Sequence, residues 1–277
     1  MADDALKNLA GCPYWVMDGA GNDFVVVDMR AGGFMTSDAA RYLGDREGPF
    51  GCDQIIGIVY GTSMLIWNQD GTEAGACGNA ARCVAWLLMD EVKSNLATFG
   101  SPGGTLQAKR DGERVTVDMG TPRLEASQIP VAEPCDDTSL LPLSPGLLAK
   151  YGLNRPVGVS MGNPHAVFFV DDAEAMPLEA LGPEIETHPL FPDRVNVTVA
   201  SAQPRGFRAR TWERGVGITK ACGTAACATL VAAVRRGHAH RKAQIEADGG
   251  TLTIAWDEDT GRVTMTGPVQ LHQHGVF

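Results

Sequence analysis

Two cysteines of this chain lie in nearly identical surroundings, Ala76-Cys77-Gly78-Asn79-Ala80-Ala81 and Ala221-Cys222-Gly223-Thr224-Ala225-Ala226, each a thiol that opens an apolar run. This pairing points to two-thiol chemistry. A thiol just ahead of a helix meets the unpaired amides of the first turn and the positive end of the macrodipole, which favour a thiolate or a bound carboxylate. The help is limited: a helix end contributes about 0.3–1 kcal/mol, whereas one pKa unit is about 1.36 kcal/mol. A further polar partner is therefore expected. The candidates are His165, in Met161-Gly162-Asn163-Pro164-His165, and Glu213, in Trp212-Glu213-Arg214-Gly215.

The elements that must position these residues occur twice. Gly21-Asn22 before Phe24-Val25-Val26-Val27-Asp28 returns as Gly162-Asn163 before Val167-Phe168-Phe169-Val170-Asp171, and Gly103-Gly104-Thr105-Leu106 returns as Gly249-Gly250-Thr251-Leu252. The asparagines are 141 residues apart, the cysteines 145 and the glycine blocks 146, so the markers keep their order and nearly their spacing. A repeat of this length is a domain, and the pattern predicts two similar domains serving one site. Short β-branched runs predict strands at Phe24–Asp28, Ile55–Val59, Met64–Trp67, Val115–Met119, Val157–Ser160 and Ala166–Val170. Helices are predicted from Asn79 to about Met89 and from Thr224 to about Arg236. Both are apolar nearly all round, so each should be enclosed by the sheet of its own domain. The acidic, proline-containing stretch from Glu125 to Pro145 reads as the connection that follows the first repeat.

Composition narrows the class. The 277 residues are 44% apolar and 20% charged, enough for two modest cores. A net charge of −10 without a basic stripe argues against a nucleic-acid partner. Met1-Ala2-Asp3-Asp4 carries acid where a signal peptide carries positive charge, and no apolar stretch approaches 18 residues, so a cytoplasmic protein without a membrane partner is expected. Seven cysteines without a C-x-x-C pair fit a reducing compartment. Cys12, Cys52, Cys83, Cys135 and Cys227 read as small hydrophobes. His238, His240, His272 and His274 read as surface residues.

Six blocks make the chain resemble the diaminopimelate epimerase family nearly end to end: Gly19-Ala20-Gly21-Asn22-Asp23-Phe24, Asn68-Gln69-Asp70-Gly71-Thr72-Glu73, Cys77 to Cys83, Met161 to His165, Arg194-Val195-Asn196, and Glu213 to Gly217 leading into Ala221-Cys222-Gly223-Thr224. The resemblance implies an α+β fold of two pseudo-symmetric domains, each a curved mixed sheet wrapped around a buried central helix. The implied domains are 1–121, completed by 267–277, and 122–266. It implies a cytoplasmic homodimer that uses no metal and no pyridoxal phosphate to interconvert LL- and meso-diaminopimelate for lysine and peptidoglycan synthesis. Cys77 and Cys222 are then the catalytic pair, one thiolate and one thiol, with His165 and Glu213 tuning them. The substrate is bound by residues matching Asn22, Gln54, Asn68, Gly78, Asn79, Asn163, Asn196, Glu213, Arg214, Gly223 and Thr224. Among these, the amides of Gly78, Asn79, Gly223 and Thr224 suit the α-carboxylate, and the Arg214 fork suits the distal one.

The chain departs from the family pattern at Asp18, where many members have His, and at Ala80 and Ala225, which replace glycines. Three other readings compete. A proline-type racemase would show Cys-Gly-His where this chain has Cys77-Gly78-Asn79. A zinc or redox protein would gather Cys77, Cys83, Cys222 and Cys227, whose spacings fit zinc knuckles poorly. An amino-acid-binding protein would need the amides but no thiols.

Overall fold

The computed structural model describes residues 5–75 and 77–277; the acid-bearing segment Met1-Ala2-Asp3-Asp4 and Ala76 lie outside them. The chain forms two compact units, one running up to Val117 and completed by Gly267–Phe277, the other Asp118–Thr266.

In the first unit the strands are β1 (Pro13–Asp18), β2 (Asp23–Asp28), β3 (Gln54–Val59), β4 (Ser63–Asn68), β5 (Leu96–Ser101), β6 (Gly104–Asp111), β7 (Arg114–Asp118) and the late strand β16 (Gln270–Val276). They lie side by side in the order β16-β1-β2-β3-β4-β5-β6-β7. The β2/β3 and β4/β5 pairs are parallel and the others for which a register is defined are antiparallel. Parallel neighbours need a crossover, and each crossover is a helix: α1 (Ser37–Gly44) joins β2 to β3, and α2 (Gly78–Glu91) joins β4 to β5.

The second unit repeats this plan. Its strands β8 (Val157–Ser160), β9 (Pro164–Phe169), β10 (Asn196–Gln203), β11 (Gly206–Glu213), β13 (Lys242–Ala247), β14 (Gly250–Trp256) and β15 (Val263–Pro268) pair antiparallel, parallel, antiparallel, parallel, antiparallel and antiparallel in turn. A short α3 (Pro145–Tyr151) precedes them, α4 (Leu178–Glu186) joins β9 to β10, and α5 (Gly223–Arg235) joins β11 to β13 after the small strand β12 (Gly217–Thr219). Within the Glu125–Pro145 stretch Ile129, Leu141 and Leu143 are buried, and just before it Arg123 bridges to Ser160.

Alternation explains why both sheets are covered on two faces. Val25, Val27 and Ile55 join Ala39, Ala40 and Leu43 of α1 in one core cluster, while their buried neighbours Phe24, Val26 and Ile56 point to the other face. In the second unit Val197, Val199 and Phe168 pack likewise with Leu178, Leu181 and Ile185 of α4. The two long helices take the remaining faces. The α5 helix touches β8, β9, β10, β11, β13 and β14, and its residues from Gly223 to Ala233 are buried. The α2 helix is buried from Gly78 to Ala85 and again from Leu87 to Met89. This enclosure follows from the unbroken apolar surface of the sequence. On α2 the buried polar side chains Asn79 and Arg82 interrupt that surface; the Arg82 guanidinium donates to Asn79 Oδ1 at 3.0 Å and to the Pro268 carbonyl at 3.5 Å. Among the described residues no helix is long and apolar enough to cross a membrane.

The enclosure predicts a contrast. Leu230→Ala, at a fully buried position of α5, should lose about 2–5 kcal/mol of stability in urea titration. Tyr60→Ala, at a position 90% exposed, should stay within about 0.5 kcal/mol. Similar losses for the two variants would contradict an enclosed α5.

Candidate active site

In the first unit the site residues gather at the start of α2. Cys77 is the N-cap residue, with extended backbone, and its sulfur accepts the Ala80 N–H at 3.4 Å. The regular ladder begins when Ala81 N–H donates to the Cys77 carbonyl, so the amides of Gly78 and Asn79 lie upstream of it. The β1–β2 turn brings Asn22 alongside. Asp18, the departure from the family pattern, accepts the Gly21 N–H at 2.9 Å and closes that turn. Gly19 lets the turn approach the helix, since a Cβ there would lie 2.9 Å from the Asn79 carbonyl oxygen. Asn22 Oδ1 then faces Cys77 Sγ at 3.8 Å and Asn79 Nδ2 at 3.5 Å. Its Nδ2 donates to Asp53 at 2.7 Å, and Asp53 is paired with Arg46. Gln54 donates to Asn68 at 3.0 Å across β3 and β4.

The second unit builds the corresponding place from a run of hydrogen bonds with one direction. His165 Nε2 lies 3.0 Å from Asn163 Oδ1; Asn163 Nδ2 donates to Thr224 Oγ1 at 3.2 Å; Thr224 Oγ1 lies 3.4 Å from Cys222 Sγ. The Cys222 thiol hydrogen-bonds Glu213, which also accepts from Thr219 Oγ1 at 2.5 Å. With Asn163 Oδ1 as acceptor, the imidazole carries its proton on Nε2, and each group donates to the next as far as Glu213. Asn196 ties in the remaining candidates: its Nδ2 donates to the Pro164 carbonyl at 2.8 Å and its Oδ1 accepts the Arg214 N–H at 2.9 Å. Arg214 itself is exposed, with Nη1 donating to the Asp193 carbonyl at 2.9 Å.

Two electrostatic expectations need correction. A helix start was expected to favour the thiolate, yet burial and, after it, the Glu213 charge push the Cys222 thiol well above its ordinary range. Burial also raises Glu213, against the hydrogen bonds from Thr219 and Cys222. The macrodipole is too small to reverse these effects. His165 was expected beside a thiol as a tuning partner; burial and then the Arg214 charge lower it to about 3, so the ring is neutral, and its hydrogen bond goes to Asn163. Ala80 and Ala225 lie inside the helices, where alanine is at ease.

Sequence reasoning missed the supports of this site: Asp53, Thr219 and Arg82. Asp53 adjoins a candidate, Gln54, which is the one signal that pointed its way. Of the five other cysteines all but Cys135 are buried, and burial raises Cys52 and Cys83 to about 12. His238, His240, His272 and His274 are exposed. Among the described residues no three His, Cys, Asp or Glu side chains are grouped as a metal site.

A family model described as diaminopimelate epimerase matches residues 14–125 and 157–272. The chain belongs to the diaminopimelate epimerase family. Proteins of that name from Phenylobacterium zucineum and Acidiphilium cryptum are 50% and 48% identical to it. The first alignment covers 96% of this chain and 97% of the relative, the second 95% of each. Among solved structures, a phenazine biosynthesis protein of the PhzF family from Enterococcus faecalis shares the fold with a TM-score of 0.69 at 17% identity, covering 96% of this chain and 98% of that one. A hydroxyproline epimerase from Agrobacterium vitis does so with a TM-score of 0.63 at 16% identity, covering 95% and 90%. The two-unit α+β fold is thus shared with proteins of other names.

Two measurements check the electrostatics. Glu213→Gln removes the negative charge beside Cys222, so the thiol should ionise at lower pH, and iodoacetamide should label Cys222 several-fold faster at pH 8. An unchanged rate separates the two groups. His165 is neutral in the fold, whereas an unfolded chain protonates it below about pH 6.5, so its contribution to stability falls as the pH drops from about 6.5 to about 3. Over that window His165→Gln should flatten the dependence of unfolding free energy on pH by roughly 1.4 kcal/mol per pH unit. An unaltered slope would mean that the native histidine is protonated.

Proposed function

We propose that the protein interconverts LL- and meso-2,6-diaminopimelate by proton transfer between two cysteines at one α-carbon. The observation that carries this reading is the repeat itself, which sets a thiol at the N-cap of a buried helix in each unit. Inversion at carbon needs a base on one face and an acid on the other, and a thiolate and a thiol fill those roles in either direction. Cys222, whose thiol is held protonated by burial and by Glu213, starts as the acid when Cys77 starts as the base. The reverse reaction exchanges the roles.

The proton leaves its electron pair on the α-carbon, and the carbanion spreads charge onto the adjoining carboxylate. The upstream amides of Gly78, Asn79, Gly223 and Thr224 are preorganised donors for that charge. Asn22 beside Cys77, and the His165-Asn163-Thr224 run beside Cys222, fix the sulfurs in place. The distal end of the substrate, a carboxylate and an ammonium, suits Arg214 and Glu213, with Asn68, Gln54 and Asn196 completing the polar lining. The protein works without a metal or pyridoxal phosphate, in the cytoplasm, as a homodimer in the synthesis of lysine and peptidoglycan precursors.

With the proline-type racemases the chain shares the fold alone, as its likeness to the hydroxyproline epimerase shows. Asn79 in place of histidine, and Arg214 poised for a second carboxylate, favour the diamino diacid.

Incubation of the LL or meso isomer in deuterated water tests both substrate and mechanism. Because a thiol exchanges its proton with solvent, early product should carry deuterium at the inverted α-carbon while unreacted substrate keeps protium. Proton NMR reads both positions. Retention of the original hydrogen in product would refute the two-cysteine mechanism, and turnover of proline in place of diaminopimelate would overturn the substrate.

A further inference from the structure

The hairpin that carries Glu213 and Arg214 is anchored by a carboxylate outside the proposed chemistry. Glu186, at the end of α4, is 5% exposed, and its two oxygens collect three donors. Trp212 Nε1 donates at 2.6 Å, Gly215 N–H at 2.8 Å and Arg194 Nη1 at 3.5 Å. Trp212 and Gly215 stand immediately before and after Glu213-Arg214, so one carboxylate grips the pair from both sides. Arg194 lies in the segment that holds Arg214 from its other direction, through the Asp193 carbonyl and Asn196 Oδ1. Both segments that touch Arg214 are therefore tied to the same group.

The approach of Trp212 to α4 is built in. A Cβ on Gly182 would lie 2.5 Å from the indole Cγ, and Gly182 and Glu186, four residues apart on one helix, share a face. The indole thus packs on Gly182 and ends at Glu186. A buried carboxylate is costly unless its oxygens are hydrogen-bonded, and these three donors supply what Glu186 needs.

We infer that Glu186 is a positioning residue for recognition of the substrate's distal carboxylate, acting through Arg214. The inference rests on the reading that Arg214 binds that carboxylate. A contact to the distal carboxylate that is made alike in the ground and transition states is uniform binding, so misplacing Arg214 should then raise KM more than it lowers kcat. A purely structural role would lower the active fraction, and with it kcat, at unchanged KM.

The test is steady-state epimerisation of diaminopimelate by Glu186→Gln, Trp212→Phe, Arg214→Ala and the double variant E186Q/R214A, each shown to be folded by near-ultraviolet circular dichroism. Glutamine keeps the shape but turns one acceptor into a donor facing N–H groups. Glu186→Gln should raise KM about 10-fold with kcat within about 3-fold, and Trp212→Phe, which removes one donor, should raise it about 3-fold. With Arg214 already replaced, Glu186→Gln should add less than about 2-fold, because the two act as one unit. A folded Glu186→Gln with unchanged KM, or an undiminished effect in the Arg214→Ala background, overturns the inference while Arg214 keeps its role. If Glu186→Gln does not fold, Trp212→Phe decides by the same readout. An unchanged KM for Arg214→Ala would remove the reading of Arg214 itself, and the inference with it.

Discussion

The structure depends on burying two helices on nearly every side. Neither α2 nor α5 offers a polar face along most of its length, so each must be wrapped by strands, and each sheet repeats the same sequence of parallel and antiparallel pairs to do so. Burial of that kind fixes a helix more firmly than propensity does, because the apolar contacts surround it. It also carries the unsatisfied amides of the first turn into the interior, where they must meet a partner. At α2 the Cys77 sulfur meets one of them, the Ala80 N–H.

What burial gives in geometry it takes back in acidity. The macrodipole contribution at a helix start, about 0.3–1 kcal/mol, cannot offset removal of a thiolate from water next to a carboxylate. Cys222 is accordingly a held thiol rather than an activated one. In the two-cysteine exchange proposed above, a held thiol is useful, since one sulfur must begin with its proton. The donor run from His165 through Asn163 and Thr224 keeps that sulfur oriented without adding charge, because the imidazole is neutral.

The two units solve the same problem with different residues. Asn22 is steadied by an acidic residue already paired with arginine, Asp53 with Arg46. Asn163 is steadied by a buried imidazole. The hairpin of Glu213 and Arg214 stands where the first unit has Asn68 and Gln69, at the end of the strand nine residues before the thiol, and it is this hairpin that Glu186 holds. A duplicated scaffold thus carries different polar supports in its two units.

Local physics wrote much of this into the sequence. Apolar residues without a polar face announced Gly78–Glu91 and Gly223–Arg235 as enclosed helices to within a few residues, and the thiols were legible as their openings because capping involves only neighbours in the chain. The repeat was legible because glycines and asparagines at turns keep their spacing. The tertiary structure alone decided the rest. That Cys222 is held protonated, that His165 is neutral, and that Asp53, Thr219 and Glu186 support the site all depend on burial and on partners that pattern cannot reach. Asn22 and Asp53 are 31 positions apart, and Glu186 and Gly215 are 29. Periodicity reports which face a residue occupies; only packing determines which charge lies beside it and how much water remains.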